Sequence, residues 1–185
     1  MKVAIIGLGA MGSIYAALFA AKGYEVIAYD PWAEHVDAIN KNGLSVDSPK
    51  GDYVVNNIQA SSIFTAHDDC NLYVIATKAS GVESAARKIS PLLGPNTIVI
   101  TIQNGLGAEE KLAKHIGREH IILGVAEGFG ASVKKPGHVH HNAMKLIRLG
   151  ELTGEITERL KQLTSHWMTA GFNVQAYQDI QKLIW

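Results

Sequence analysis

The sequence predicts an α/β fold in which a doubly wound, mostly parallel sheet carries helices on both faces. Short apolar runs alternate with segments of helical composition from Lys2 to Ala126. Three glycines separate the first predicted strand from the first predicted helix. The 185 residues are 47% hydrophobic and 18% charged, which excludes a disordered chain and allows one domain with its own core.

The predicted elements are separated by glycine and proline stop signals. Strands are expected at residues 2–6, 25–29, 71–76, 97–102 and 121–126, with helices at 10–22, 32–42, 80–90 and 107–115. Residues 44–47 and 53–55 flank the turn from Ser48 to Gly51 and predict a hairpin. After residue 126 the pattern changes to short antiparallel strands at 128–133, 139–142 and 145–149, a helix at 156–170 and a last strand at 172–176.

Charge and cysteine content exclude several classes of function. The chain has 17 Lys and Arg against 17 Asp and Glu. A surface without net positive charge argues against nucleic acid and against an anionic membrane as partners. Cys70 is the single cysteine, so no internal disulfide can form, and a reducing compartment, the cytoplasm, is expected.

The stretch from Val3 to Ala21 contains no charged residue, a pattern shared by signal peptides and membrane spans. Gly7, Gly9 and Gly12 divide it into a short strand and an alanine-rich helix, and charged residues and a further strand follow directly. These interruptions favour a folded domain over a leader or an anchor.

The main chemical signal is the glycine motif between the first strand and the first helix. Its residues, in order, are Gly7, Leu8, Gly9, Ala10, Met11 and Gly12. The first glycine permits a tight turn, the second leaves room for a pyrophosphate, and the third lets helix and strand pack closely. The helix N-terminus offers free N–H groups and a partial positive charge to phosphates. This setting predicts a Rossmann-type dinucleotide site; the alternatives are a purely structural turn and a site for FAD or another adenine nucleotide.

Asp30 ends the second predicted strand and lies 18 residues after Gly12. A carboxylate about 20 residues past the motif accepts hydrogen bonds from the adenosine ribose and repels a 2′-phosphate. Residues 30–37 contain no Lys or Arg, and His35 is the one group there that could carry a positive charge. The residues therefore favour NADH over NADPH. A second and compatible role for Asp30 is to cap a helix that starts with Pro31.

Two more polar residues follow predicted strands at the edge where open α/β sheets bind ligands. Lys78 comes after the strand at 71–76, and Asn104 after the strand at 97–102. Lys78 could neutralise a phosphate or carboxylate or polarise a carbonyl, and Asn104 could orient the nicotinamide ribose or a substrate hydroxyl. The alternatives are a solvated lysine and a turn-forming asparagine.

The one cluster of candidate metal ligands in the sequence consists of His138, His140 and His141. On a strand His138 and His140 share a face while His141 points away, and no Cys, Asp or Glu lies beside them in the sequence. Because structural zinc sites use four ligands, we expect no metal site and interpret these residues as solvated or sheet-packed histidines.

Several motifs together resemble the N-terminal domain of the ketopantoate reductase (2-dehydropantoate 2-reductase) family. They are the glycine motif, Thr77-Lys78-Ala79, Gln103-Asn104-Gly105-Leu106-Gly107 with Glu110, Pro136-Gly137-His138-Val139, residues 147–150 and the closing Ile184-Trp185. These motifs span essentially the whole chain. The two motifs around Lys78 and Asn104 are much more specific than the glycine motif alone.

The resemblance implies NAD(P)H-dependent reduction of 2-dehydropantoate, a small 2-oxo acid, to pantoate on the route to coenzyme A. It implies cofactor contacts at the glycine motif, Lys78 and Asn104, with Asn104 also near the substrate, and by a looser match at Gly130. It further implies a Rossmann domain over residues 1–176, with 177–185 beginning the connection to a helical C-terminal domain. Without that domain apolar surface is exposed, so we expect the chain to pair with itself, as a homodimer, or to aggregate.

The sequence departs from the family pattern in two places. Family members that use NADPH typically carry an Arg just after the second strand, where this chain has Asp30 and Pro31. The family's catalytic lysine and second key acid lie past the position of Trp185, so the resemblance places no catalytic residue in this chain. We expect the chain to bind NADH, with NADPH as the family's alternative, and to turn over little or no substrate alone. Rival interpretations are another 2- or 3-hydroxyacid or opine-type dehydrogenase and a non-catalytic dinucleotide-binding or sensing module.

Overall fold

The computed structural model describes residues 1–65, 69–102 and 107–184 and confirms the α/β architecture. The strands are β1 (Lys2–Ile6), β2 (Glu25–Tyr29), β3 (Leu44–Asp47), β4 (Tyr53–Val55), β5 (Ile58–Ser61), β6 (Leu72–Ile75), β7 (Ile98–Ile102), β8 (Ile121–Glu127), β9 (Gly130–Lys135), β10 (His138–Ala143), β11 (Leu146–Glu151) and β12 (Val174–Ala176). The α-helices are α1 (Ala10–Ala21), α2 (Ala33–Asn42), α3 (Val82–Ile89), α4 (Ala108–Ala113), α5 (Glu158–Thr169) and α6 (Gln181–Ile184).

The main sheet has eight strands in the order β12-β11-β8-β7-β6-β1-β2-β5. Six strands that are consecutive in the sheet, β8, β7, β6, β1, β2 and β5, are parallel to one another. Strand β11 runs antiparallel to β8, and β12 runs parallel to β11. The strand order therefore reverses between β1 and β6. In doubly wound sheets the ligand crevice lies outside the carboxyl ends of the strands at this reversal.

Two hydrophobic clusters cover the two faces of the main sheet, as a doubly wound fold requires. Side chains of α1, α2 and α5 pack on one face, and those of α3 and α4 on the other. Tyr15, Phe19 and Trp167 lie at the centre of the first cluster, and the ring centroid of Phe19 is 5.2 Å from that of Trp167. Such an edge-to-face pair contributes about 0.5–1.5 kcal/mol beyond the area it buries. This packing fixes the position of α1, which follows the glycine motif.

A second, four-stranded sheet has the order β4-β3-β10-β9. The predicted hairpin of β3 and β4 and the antiparallel pair of β9 and β10 are both confirmed. The sequence did not indicate that β10 also pairs with β3, in parallel, and so joins the two hairpins. Strands β9 and β10 pack on α1 from the side opposite the main sheet.

Because α1 lies between two sheets, it is apolar on all sides. Its buried residues include Gly12, Ser13, Tyr15 and Phe19. This explains the uncharged stretch at the N-terminus, since a helix covered all round carries no polar face. Within the described residues, no helix combines the length and apolar character needed to cross a bilayer.

Strand β5 is absent from the sequence prediction. It has four residues, of which only Ile58 is buried, so its hydrophobic pattern is weak. The strand forms because it pairs with β2 at the edge of the main sheet. The side chain of Asn40 stabilises it by accepting a hydrogen bond from the Ala60 N–H at 3.2 Å and donating one to the Ala60 carbonyl at 2.9 Å.

Candidate functional site

Gly7 connects β1 to α1 and has a φ of +103°, a backbone conformation that glycine adopts without strain. Its N–H donates a hydrogen bond to the Tyr29 carbonyl at 2.7 Å, which ties the turn to the end of β2. A Cβ atom at Gly7 would lie 3.0 Å from the Thr77 backbone nitrogen. The glycine turn is therefore packed directly against the segment that follows β6.

Gly12 and Gly9 differ in the space around them. A Cβ atom at Gly12 would lie 1.8 Å from the Gly7 carbonyl oxygen, so a side chain there would separate α1 from the turn. A Cβ atom at Gly9 would meet nothing within 4 Å of the described residues. Gly9 is the N-cap of α1, and no side chain in the described part of the chain caps the helix. The open space before uncapped N–H groups fits a bound phosphate group.

The Asp30 carboxylate lies against the glycine motif. Its Oδ2 accepts a hydrogen bond from the Leu8 N–H at 2.7 Å, and its Oδ1 accepts one from the Trp32 N–H at 2.9 Å. Helix α2 begins at Ala33, with Trp32 as its N-cap, so the expectation that Asp30 caps a helix starting at Pro31 is wrong. The carboxylate instead closes a local turn with Trp32. Because a carboxylate has about four acceptor positions, it retains capacity for sugar hydroxyls.

His35 is fully buried and is not available as a cation for a 2′-phosphate. Burial lowers its pKa, and the nearby charge of Asp30 opposes this only in part. Its Nδ1 accepts a hydrogen bond from the Gly137 N–H at 3.0 Å, so the ring proton is on Nε2. That nitrogen lies 3.2 Å from Ser13 Oγ, which in turn donates to the Leu8 carbonyl at 2.9 Å.

This chain of hydrogen bonds holds Leu8 of the glycine motif on both sides. Asp30 accepts from its N–H, and Ser13 donates to its carbonyl. Through His35 the same chain reaches Gly137, in the turn between β9 and β10 of the second sheet. Sequence reasoning missed these positioning residues, because no local pattern indicates that residues so far apart in the chain meet.

Trp32 is a further candidate that the sequence did not single out. Its ring stacks on that of His35, with 4.8 Å between the ring centroids and 12° between the planes. The side chain is nevertheless 38% exposed. A flat aromatic face is therefore presented beside Asp30, at the end of β2.

All the predicted cofactor residues, including the glycine motif and Asp30, stay predictions, and the structure places the others as follows. Lys78 is exposed and precedes a short 3₁₀ turn, Ala79–Gly81. Because β6 is the neighbour of β1 in the sheet, Lys78 follows β6 at the same edge as the glycine motif. Gly130 is the first residue of β9, shortly after β8 ends at that edge. Asn104 belongs to residues 103–106 and lies outside the described residues.

The three histidines of β10 have different surroundings. His138 Nε2 lies 2.6 Å from Asp47 Oδ1, an acid that the pairing of β10 with β3 brings close and that sequence proximity did not show. The ring of His141 stacks on Phe129, with 5.3 Å between centroids. The described residues include no group of three or more His, Cys, Asp or Glu side chains arranged to hold a metal ion.

The family model for ketopantoate reductase (PanE/ApbA) matches residues 3–154. This chain belongs to the ketopantoate reductase family. The 2-dehydropantoate 2-reductase of Nostoc sp. is 30% identical to it over the whole chain and 60% of its own length. The enzyme of the same name from Archaeoglobus fulgidus is also 30% identical over the whole chain and 58% of its own length. The chain thus spans about 60% of the length of these relatives.

Solved structures of ketopantoate reductases and a related dehydrogenase share the fold. The 2-dehydropantoate 2-reductase of Geobacter metallireducens is 32% identical, with a TM-score of 0.89 over the whole chain and 60% of that protein. D-mandelate dehydrogenase, solved with NADH and anilino(oxo)acetate, is 29% identical, with a TM-score of 0.89 over the whole chain and 59% of that protein. The ketopantoate reductase family consists of oxidoreductases that bind NAD(P)H.

Proposed function

We propose that this chain is the NADH-binding part of an enzyme that reduces 2-dehydropantoate to pantoate. The observation that carries the choice of NADH is the Asp30 carboxylate. It lies at the end of β2 and accepts a hydrogen bond from Leu8 of the glycine motif. Residues 30–37 contain no Lys or Arg, and the buried His35 accepts a hydrogen bond from Gly137 through its unprotonated nitrogen. The proposed site is thus suited to ribose hydroxyls and repels a 2′-phosphate.

The residues present fit a dinucleotide. The uncapped N–H groups at the start of α1 would hold the pyrophosphate, and the free space at Gly9 admits it. Asp30 would accept hydrogen bonds from the adenosine ribose, with the exposed ring of Trp32 alongside. When bound, the cofactor supplies the hydride that converts a ketone to an alcohol.

The other proposed roles follow the family resemblance. Lys78 would neutralise a phosphate or the substrate carboxylate, Asn104 would orient the nicotinamide ribose and the substrate, and the backbone at Gly130 would pass the cofactor. The proton for the developing alkoxide would come from the family lysine, which the resemblance places past the position of Trp185. The same proposal includes a domain boundary at residue 176, pairing with a second copy of the chain and a cytoplasmic location.

The substrate is tested with the complete product of the gene that encodes this chain. We expect the gene to restore growth without pantoate to a bacterial strain that lacks 2-dehydropantoate 2-reductase. We also expect the purified product to oxidise NADH when 2-dehydropantoate is added. Absence of both effects would overturn the proposed substrate.

A second candidate substrate is the 2-oxo acid of mandelate. It is favoured by the likeness to D-mandelate dehydrogenase, which was solved with NADH, the cofactor proposed for this chain. The same purified product is assayed with this acid in parallel. A higher kcat/KM for it than for 2-dehydropantoate would replace the first candidate and leave the proposed NADH site intact.

A further inference from the structure

A cavity of about 540 Å³ lies at the end of α1 that is remote from the glycine motif. Its walls come from the last turn of α1, the turn between β3 and β4, the end of β10 and the C-terminus of α5. Since α1 has 12 residues, roughly 18 Å separates its two ends. The volume is that of a small-molecule site, and the cavity has no part in the proposed cofactor binding.

The lining of the cavity combines apolar surface with positive charge. Leu18, Pro49 and Met144 provide apolar atoms. Lys22 and Lys50 are exposed at its rim, and no Asp or Glu is among the described residues that line it. An apolar surface with two cations attracts an apolar molecule that carries an anionic group.

The partial negative charge of the helix end does not cancel these two cations. The carbonyls of Phe19 and Ala20 in the last turn of α1 accept hydrogen bonds from the backbone N–H groups of residues 22–24 and from the Asn57 side chain. Carbonyls that are already hydrogen-bonded contribute less of the helix-terminal charge, which is about half an elementary charge when the groups are free. The two lysines also outnumber the acid of the turn between β3 and β4, Asp52, which accepts a hydrogen bond from the Ser48 N–H.

Two polar atoms beside the cavity are buried and have no hydrogen-bond partner among the described residues. They are Tyr53 Oη and His141 Nε2, and both residues line the cavity. Native structures leave few buried polar atoms unpaired, and an absent ligand or water is one reason for such atoms. Burial raises the pKa of Tyr53, so its hydroxyl stays protonated and can donate.

His141 offers the complementary group. Burial lowers its pKa, and the Ala143 backbone opposes this shift, as a carbonyl beside a ring N–H does. Because Nε2 has no partner, that N–H is on Nδ1. Because a neutral imidazole has one donor and one acceptor nitrogen, Nε2 is left as an acceptor. A ligand that satisfies both orphaned atoms thus has an acceptor for Tyr53 and a donor for His141.

We propose that this cavity binds a small molecule with an apolar body, one anionic group and a neighbouring hydroxyl or N–H. Lys22 and Lys50 would hold the anionic group at the rim. Tyr53 and His141, once their side chains rotate toward the cavity, would bind the polar atoms further in. The site stands independently of the proposed reductase activity.

The probe for this test is 8-anilinonaphthalene-1-sulfonate, which has an apolar ring system, a sulfonate and an N–H. We expect the complete product of the gene that encodes this chain to bind one probe molecule with enhanced, blue-shifted fluorescence, and saturating NADH to leave this signal unchanged. The double variant Lys22→Ala/Lys50→Ala should weaken binding at least fivefold. The matched variant Lys41→Ala/Lys134→Ala, whose lysines are exposed outside the cavity, should bind as the unchanged chain does.

Two further variants separate this site from unspecific apolar binding. Ala21 is exposed and lines the cavity, so Ala21→Trp should occupy part of it and weaken probe binding at least fivefold without lowering Tm. Tyr53→Phe should weaken probe binding several-fold, although it removes an unpaired hydroxyl and leaves the free protein at least as stable. Displacement of the probe by NADH would overturn the proposal. So would a crystal structure with the probe in which the cavity holds water alone. The same holds if the Lys22/Lys50 and Tyr53 variants bind the probe as tightly as the unchanged chain does.

Discussion

Asp30 combines a structural and a proposed binding role in one side chain. Its carboxylate holds Leu8 of the glycine motif through a charge-assisted hydrogen bond of 2.7 Å. We expect Asp30→Ala to weaken NADH binding by about 10- to 150-fold, because hydrogen bonds to a charged group contribute about 1.5–3 kcal/mol. NADPH binding should change much less, since the same substitution also removes repulsion of the 2′-phosphate.

Isothermal titration calorimetry with both coenzymes measures these affinities. The control is Asp37→Ala, an exposed aspartate of α2, which should leave both affinities unchanged. Tighter binding of NADPH than of NADH by the unchanged chain would contradict the proposed preference.

The glycines of the motif give a second prediction at the residue scale. An added methyl group at Gly12 would overlap the Gly7 carbonyl, whereas at Gly9 it would enter free space. We expect Gly12→Ala to lower Tm strongly and Gly9→Ala to keep Tm while weakening NADH binding at least tenfold. Thermal unfolding and calorimetry on the two variants separate these effects. Unchanged NADH affinity in Gly9→Ala would show that the pyrophosphate does not bind there.

The roles of single residues were predictable from the sequence where they depend on local backbone geometry. The steric demands on Gly7 and Gly12 follow from the strand–turn–helix setting alone. His35 shows the opposite case, because in the sequence it is a candidate cation and in the structure it is a buried hydrogen-bond acceptor. Only its contact with Gly137 of the second sheet decides between the two.

At the scale of elements, α1 is connected to the second sheet through Ser13 and His35. We expect Ser13→Ala to weaken NADH binding several-fold, because Leu8 of the glycine motif then loses the hydrogen bond to its carbonyl. His35→Phe should have a larger effect and also lower Tm, since the Gly137 N–H is left buried without its acceptor.

Calorimetry and thermal unfolding of both variants are compared with those of Ser165→Ala, a control at an exposed serine of α5. If Ser13→Ala and the control bind NADH equally well, the hydrogen bond to Leu8 does not position the cofactor site.

The start of α5 is attached to β11 by a buried acid. Glu151 is 3% exposed. Its Oε1 accepts hydrogen bonds from Thr157 Oγ1 at 2.6 Å and from Arg159 Nε at 2.7 Å. Thr157 in turn caps the helix, because its side chain accepts a hydrogen bond from the Leu160 N–H. Burial alone would raise the pKa of Glu151, but these hydrogen bonds outweigh it and hold the pKa below its ordinary value of 4.5. Glu151 therefore stabilises the fold at neutral pH, and this contribution is lost as the pH falls through 4.5 toward the lower folded value.

We expect Glu151→Gln to lower the free energy of unfolding at pH 7 by about 1–2 kcal/mol. This loss is smaller than the cost of breaking a fully buried ion pair, because Arg159 is partly exposed. Between pH 5 and pH 3 the unchanged chain should lose stability more steeply than this variant. Urea unfolding at several pH values measures both. Glu158→Gln, at an exposed acid of α5, is the control, and equal pH slopes for Glu151→Gln and the unchanged chain would contradict the expectation.

Elements with a strong hydrophobic period were predictable, and those made by tertiary pairing were not. The buried strands of the main sheet and helices α1 and α5 occur where the sequence indicates them. Strand β5 was missed because its edge pairing with β2 and the hydrogen bonds from Asn40 replace an apolar pattern. The parallel pairing of β10 with β3 was missed because those strands are far apart in the chain.

For the whole molecule, we expect the 185-residue chain to bind NADH but not to oxidise it when 2-dehydropantoate is added. The physical reason is that the proposed site provides groups suited to holding a dinucleotide, while the resemblance places the proton-donating lysine past Trp185. Absorbance at 340 nm follows the oxidation, and calorimetry with NADH confirms that the assayed protein is folded. A turnover within the usual enzyme range of about 1–1,000 per second would refute this expectation.

The sandwiching of α1 between two sheets has a consequence for biosynthesis. The strands that shield the outer side of this helix are β9 and β10, and β9 begins about 110 residues after α1 ends. The helix is therefore synthesised well before them. During that interval the outer side of this uncharged, apolar helix is exposed to solvent in the nascent polypeptide, a state prone to aggregation. Chaperone dependence during synthesis should therefore be greatest before residue 143 emerges.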